Sequence, residues 1–356
     1  MSRLPPPPPP PPPPRRATAA TTSTTASTYL PAQPGAPRFW FWILAGAAAV
    51  LLVLLLALAW WWSRSTAVAA ASGPQQAQQT QQDRQAQNSQ QAPLPVWDFS
   101  QWLAGRSADW RVGRLKEEPA VVVIEFPNLA EQGAAMNRLA ALLEKTDAPR
   151  DRLLGNAELA SLIAQGGDSP QTFYQGHDYG GAGLARFFSM AQAQQLALDT
   201  AERRLLQILT DAGVLAPARD GAQGYVQIGL QALISFSATQ VDDPSTPASE
   251  TIDEVQRESI LRHEASHGRF YTRTGYQAHS RRFWQTELSE PQRERIRVYL
   301  ASAGYNRQDE ELMLNEAQAF MMHTPDRRAF MAQDIGMTPA QLDALRERFW
   351  RTLPAE

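Results

Sequence analysis

The chain contains no cysteine. Disulfide scaffolds, cysteine-ligated zinc, iron–sulfur clusters and thiol nucleophiles are therefore excluded. Acidic residues are missing from one end: no Asp or Glu occurs before Asp83, and the first 38 residues carry only Arg3, Arg15, Arg16 and Arg38 as charges. Removing those four together with Arg64 and Arg84 from the 33 Lys+Arg leaves 27 from Pro95 onward, against 35 of the 36 Asp+Glu. A region at net −8 has no basic footprint for phosphates, so no nucleic-acid partner is expected. Asn-X-Ser/Thr sequons are also lacking. With the absence of cysteine, this fits a bacterial periplasm better than an endoplasmic reticulum lumen.

From Phe39 to Trp62 there is no charge at all, over 24 positions. As a helix this run reaches about 36 Å, enough for a hydrocarbon core of about 30 Å. Phe39, Trp40, Phe41 and Trp42 crowd one end and Trp60, Trp61 and Trp62 the other, an aromatic belt at both interfaces. Three tryptophans at the exit, in place of small residues, argue for a retained anchor over a cleaved signal peptide. Four arginines precede the span and Arg64 alone follows closely. The expectation is a single pass through the inner (plasma) membrane, with a cytoplasmic N-terminus and an extracytoplasmic, periplasmic C-terminal domain.

Four segments follow: a disordered proline-rich cytoplasmic tail over 1–38, a transmembrane helix over 39–62, a Gln-rich flexible stalk over 63–94, and a folded domain over 95–356. The proline run Pro5–Pro14 must adopt polyproline II and could engage a cytoplasmic partner with an aromatic-lined groove. In the folded part, VVVIEF (Val121–Phe126) reads as a strand. Helical patterns cover 129–145, 156–165 and 183–212. Val226, Ile228 and Leu230 alternate with Gln227, Gly229 and Gln231, as in a half-buried strand. After a Pro/Ser/Asp loop over 242–249 the rest is helical, with start signals at Ser249 with the acids Glu250, Asp253 and Glu254, at Ser289 with Gln292, and at Thr338 with Pro339. Strands early and helices late predict an α+β fold, mainly helical with a small sheet.

The chemistry-bearing segment is His263-Glu264-Ala265-Ser266-His267, an H-E-x-x-H. On a helix, residues four apart share a face, so two imidazoles can reach one ion while Glu264 stands beside it as a base. Ile252, Val255, Ser259, His263, Ser266, His267 and Phe270 fall along one side, which places the histidines on the inward face. A pair of core histidines satisfied by the fold is the plainer alternative. Glu316, in Leu314–Phe320, sits among Leu312, Met313, Ala319 and Phe320, where a lone carboxylate needs a partner. A cation shared with the histidines would serve, or an arginine; Asp309, Glu310 and Glu311 are substitutes as third ligand.

These two segments resemble the gluzincin zinc metallopeptidases, in which H-E-x-x-H is followed by a ligand glutamate within N-E-x-x-A. Here the second element is Asn315-Glu316-Ala317-Gln318-Ala319. The metzincin pattern is absent, since Arg273 stands at its third-histidine position and Tyr271 at its glycine. The resemblance implies a zincin-like fold, Zn2+ held by His263, His267 and Glu316, and peptide-bond hydrolysis with Glu264 activating a water. The thermolysin-like pattern places an aspartate four residues after the ligand glutamate to orient a histidine; here that position is Phe320. The outer partner of the histidines must come from elsewhere or is missing. Oxyanion donors are sought among His323, Tyr271, Tyr305 and His279, His323 lying two turns beyond Glu316; a helix-end histidine is its alternative role. Tyr225–Leu230 is the candidate strand against which an extended substrate would lie. His177, Asp178 and Tyr179, flanked by glycines, suggest a turn near the cleft or elsewhere. An inactive envelope scaffold on the same fold, or a zinc hydrolase of a non-protein amide, fits the same residues.

Overall fold

The computed structural model describes residues 93–219, 221–240 and 250–355. The expected tail and membrane segment, and all of the expected stalk but its last two residues, lie outside these. Among the described residues no helix is long and apolar enough to cross a membrane. The fold is α+β, mainly helical around a small sheet.

The sheet is built from β1 (Val96–Trp97), β2 (Arg111–Leu115), β3 (Val121–Phe126), β4 (His177–Gly180) and β7 (Ala232–Ser237), in the spatial order β1-β2-β3-β7-β4. Strands β3 and β7 are parallel and central; β2 and β4 run antiparallel to them, and β4 is an edge. All six residues of β3 and all six of β7 are buried. A strand covered on both faces loses the alternation of a half-buried one, which is why VVVIEF reads as one apolar run. On one face lie α2 (Leu129–Leu143), α4 (Gly181–Ala193) and α5 (Thr200–Asp211), with Ile124, Phe126, Met136, Leu139, Phe187 and Phe188 in their core. On the other lie α1 (Phe99–Ala104) and the long α6 (Glu254–Thr272), packed through Trp102, Val123, Ile234, Phe236, Leu261 and Ala265. Each such side chain contributes roughly 1.5–3 kcal/mol by leaving water.

Helix α3 (Asn156–Gln165) spans the range expected from its pattern. The 183–212 pattern is two helices, α4 and α5. The chain reverses at Gln195, whose φ is 52°, and Asp199 then caps α5 with Glu202 completing a capping box. The alternating segment is corrected more strongly. Tyr225–Gln227 (β6) pairs with β5 (Leu215–Pro217) in a separate two-stranded sheet, and Val226, Ile228 and Leu230 are 45%, 44% and 52% exposed. Gly229, at φ 63°, turns the chain before β7 begins. Val255 likewise faces solvent, whereas Ser259, His263, Ser266, His267 and Phe270 are buried as expected.

The helical lobe comprises α6, α7 (Thr274–Thr286), α8 (Glu290–Ser302), α9 (Glu310–His323) and α10 (Pro339–Thr352); α8 and α10 start at the signals read for them, and of the group read before α6 it is Asp253 that caps the helix, Ser249 lying outside the described residues. Its core includes Phe270, Tyr276, Trp284, Leu300, Met313, Ile335 and Phe349. Helix α6 belongs to both halves, lying against β7 and β4 on one side and α9 on the other.

What seats α6 on the sheet is a buried ion pair. Arg257 is fully buried and pairs with Glu125 of β3, while its guanidinium also donates to the Leu103 carbonyl at 2.9 Å and the Trp102 carbonyl at 3.0 Å. The other Glu125 oxygen accepts from Arg111 at 2.7 Å. Removing one partner of such a pair leaves an uncompensated charge. Glu125→Ala is therefore expected to lower the unfolding free energy by about 3–5 kcal/mol, read from urea denaturation. A loss under about 1 kcal/mol would mean that the pair does not seat the helix.

Candidate metal centre

The site forms where α9 packs on α6 and α6 lies against the edge strand β4. Asp253 caps α6, its side chain accepting from the Gln256 amide at 2.8 Å. Two and a half turns later His263 and His267 emerge on the inward face, one turn apart. Asp309 caps α9 in the same manner and starts the helix that brings Glu316 opposite them.

The ring nitrogens His263 Nε2 and His267 Nε2 are 3.1 Å apart. Glu316 Oε2 stands 3.6 Å from the first and Oε1 3.7 Å from the second. The three ligand atoms lie within 4.8 Å of one another, and the group could hold a metal ion. Glu316 is 1% exposed, and its ion-pair partners among the described residues are these imidazoles and not a guanidinium. The substitute acids are engaged elsewhere: Asp309 in its cap, Glu310 with Arg297, Glu311 with Arg281.

Hydrogen bonds decide which histidine nitrogen faces the cluster. Thr324 Oγ1 donates to the Ala319 carbonyl at 3.1 Å, so its lone pair accepts from His263 Nδ1 at 2.8 Å. The Nε2 lone pair of His263 is then left pointing at His267 and Glu316. Thr324 thus supplies the outer partner that the sequence pattern lacks at Phe320, and the Phe320 ring packs edge-on to His263, centroids 4.6 Å apart. His267 Nδ1 is buried without a well-aligned bond and feels the side-chain amide of Asn315.

Glu264 is 6% exposed, its Oε2 buried without a partner, and its Oε1 fills the space where a side chain at position 176 would begin. That close approach is what requires Gly176. A residue that sequence reasoning left in a turn joins the cluster. Asp178, on β4, places Oδ2 3.6 Å from His267 Nε2 and bonds Tyr271 and Glu264. Glu144, at the end of α2, adds another buried carboxyl beside Tyr174 and Tyr179. The glycine-flanked polar cluster at 177–179 drew notice to Asp178 but not to its role, and nothing local marks Glu144, because both arrive through the pairing of β4 with β7 and the packing of α2.

Burial sets the electrostatics. Leaving water pushes the carboxyls of Asp178, Glu264 and Glu316 up, Glu144 to about 8, and for all but Glu316 the neighbouring acids push further the same way. Burial also holds His263 down at about 3 and His267 at about 4. Both imidazoles are neutral at pH 7, as metal ligation requires. Mutually repelling acids and two lone pairs aimed at one point, with orphaned Glu264 Oε2 and Glu316 Oε2 beside them, are what a divalent cation would relieve.

The other predicted residues stand apart. His323 Nε2 is bonded to the Tyr276 hydroxyl at 2.9 Å, and that hydroxyl donates to Gln318 Oε1 at 2.7 Å. Nε2 therefore carries the proton, and with the pKa held near 3 by burial, Nδ1 offers an acceptor, not an oxyanion donor. His279 bonds the Phe349 carbonyl at 3.0 Å and anchors α10. His177 faces the opposite layer, with Nδ1 2.9 Å from the Gln132 amide. Tyr271 and Tyr305 remain at the cluster, bonded to Asp178 and Glu316. The sheet edge beside the site is β4, not Tyr225–Leu230. A cavity of about 1040 Å³ lies next to Ser266, His323 and Thr324, but His263, Glu264, His267 and Glu316 do not line it. Compared with known family models, curated proteins and solved structures, the chain matches none.

Two outcomes follow from this geometry. Thr324→Val removes the acceptor for His263 Nδ1 and is expected to weaken metal binding about 10–100-fold, measured by competition with a chromogenic chelator. In the metal-free protein the pH dependence has two limbs. The buried histidines, with folded pKa near 3–4 against 6.5 unfolded, contribute stability that is full above pH 6.5 and lost as pH falls towards 3. The raised carboxyls, Glu144 at about 8 against 4.5, act oppositely and withdraw stability as pH rises from 4.5 to 8. The two effects oppose each other between 4.5 and 6.5. The thermal midpoint should therefore fall on both sides of that window, and a bound divalent ion should flatten the alkaline limb. A midpoint that keeps rising to pH 8 without metal would contradict this.

Proposed function

We propose that this chain is a membrane-anchored, zinc-dependent metallopeptidase of zincin-like fold, acting on peptide or protein substrates outside the cytoplasmic membrane. The observation that carries the reading is the convergence of His263, His267 and Glu316 on one point with Glu264 beside it. Two imidazoles and a carboxylate are a zinc donor set, and the orphaned acid oxygens and neutral histidines fit a dication. Bound there, the ion would lower the pKa of a water and polarise a scissile carbonyl.

The chain's own groups would do the rest. Glu264 takes a proton from the attacking water and returns it to the leaving amine. Burial and the neighbouring acids raise this carboxyl, and a bound dication would draw it back toward the carboxylate that accepts a proton. Gly176 keeps the space in which Glu264 lies. Tyr271 and Tyr305, whose burial keeps their hydroxyls protonated, donate to Asp178 and Glu316, and either would serve a developing oxyanion only by giving up that bond. The anchor and stalk expected from residues 39–94 would hold this domain near the bilayer.

One observation favours a second reading. His267 is 0% and Glu316 1% exposed, a degree of closure that suits a structural ion in a non-enzymatic envelope protein. The same centre would also serve a non-protein amide. Glu264→Gln in the purified full chain separates the readings. It is expected to keep near-stoichiometric zinc and lose about 10²–10⁴-fold in cleavage of a peptide library. Zinc-loaded wild-type protein that cleaves neither peptides nor cell-wall peptides would support the structural reading.

A further inference from the structure

Strand β4 brings a further acid to His267. In its antiparallel register Asp178 lies opposite Ile234. Ile234 packs against α6, so Asp178 faces that helix, whereas Tyr179, opposite Leu233, joins the other layer. Its Oδ2 is 3.6 Å from His267 Nε2, matching the 3.7 Å at which Glu316 Oε1 approaches that same nitrogen. Asp178 groups with Glu264 and His267, and Glu316 with His263 and His267, so the two acids converge on one imidazole nitrogen, whose lone pair binds one ion. Asp178 is 8% exposed, and its partners are Tyr271, Glu264 and His267, with no guanidinium or ammonium among its ion pairs in the described residues. Glu264 Oε2 and Glu316 Oε2 are buried without a hydrogen-bond partner beside it.

We infer that Asp178 is a fourth protein ligand, so that the resting centre is an N2O2 set of His263, His267, Glu316 and Asp178. This rests on the reading that the first three hold an ion. Tyr271, bonded to Asp178 and accepting from Asn315 Nδ2 at 3.4 Å, would hold the carboxylate in place. Four protein donors fill a tetrahedral zinc, whereas a catalytic site keeps a position for water. Hydrolysis then requires either a fifth position or withdrawal of Asp178. Because Asp178 also bonds Glu264, its withdrawal would change the contacts of the proposed base at the same moment.

The test uses the full chain in detergent, loaded with Zn2+ or Co2+. Zinc affinity is measured by chelator competition, and coordination by the visible spectrum of Co2+ and by X-ray absorption at the zinc edge. Wild type should bind one ion with two nitrogen and two oxygen protein donors. Loss of an outer-shell partner costs about 10–100-fold in affinity, so Asp178→Ala should exceed 100-fold and shift the Co2+ bands. Asp178→Asn, which preserves shape should the alanine variant not fold, should shift them too. Glu264→Gln should leave the spectrum in place. If Asp178→Ala or Asp178→Asn binds zinc within about threefold of wild type with an unchanged spectrum, Asp178 is no ligand. If wild type and His263→Ala both bind no ion, the metal reading itself has failed, a result distinct from loss of the aspartate alone.

Discussion

Four carboxyls, Glu144, Asp178, Glu264 and Glu316, are buried together with two neutral imidazoles. Charges crowded away from water are costly unless paired, and for a lone acid neutralisation by a proton is the usual escape. Arginine, the commonest remedy, is plentiful in this chain, yet the ion pairs of Asp178 and Glu316 run to histidine. A core that tolerates this arrangement has an electrostatic deficit at one point. The metal proposal is the reading that removes the deficit with the fewest further groups.

The scaffold serves that point from three directions. Helix α6 carries the H-E-x-x-H and is pinned to the central strand by Arg257 and Glu125, six residues before the first histidine. Helix α9 brings Glu316, and the turn after it brings Thr324, whose hydroxyl sets the tautomer of His263. Strand β4 brings Asp178 from the sheet edge, with Gly176 just before it making room for Glu264. A centre assembled from separate elements is stable only when each is held by its own packing. Here the apolar cores on the two faces of the sheet and within the helical lobe supply that support.

Much of the fold was legible before any coordinates. Caps at Ser289 and Thr338, the helix over Asn156–Gln165 and the strand Val121–Phe126 all stand where local rules put them, and the acidic group before α6 marks its start to within a few residues. The alternation around Val226 misled because period two reports an extended backbone but not which face is covered. That segment lies on the surface, and the turn at Gly229 separates it from β7. The 183–212 run misled for a similar reason: apolar spacing continued across a reversal at Gln195.

By itself the sequence determined the spacing of His263, Glu264 and His267, because one helical turn is a local property of the backbone. It also determined that Glu316 stands among apolar neighbours on another helix. Only the tertiary structure decided that Glu316 and not Glu310 or Glu311 meets the imidazoles. The same packing decided that Thr324 takes the place of the missing aspartate, that His323 turns to Tyr276, and that Asp178 arrives from a strand edge. The physical reason is range: a helix relates residues four apart, whereas a carboxylate's partner some fifty to ninety residues away is chosen by the packing of helices on a sheet.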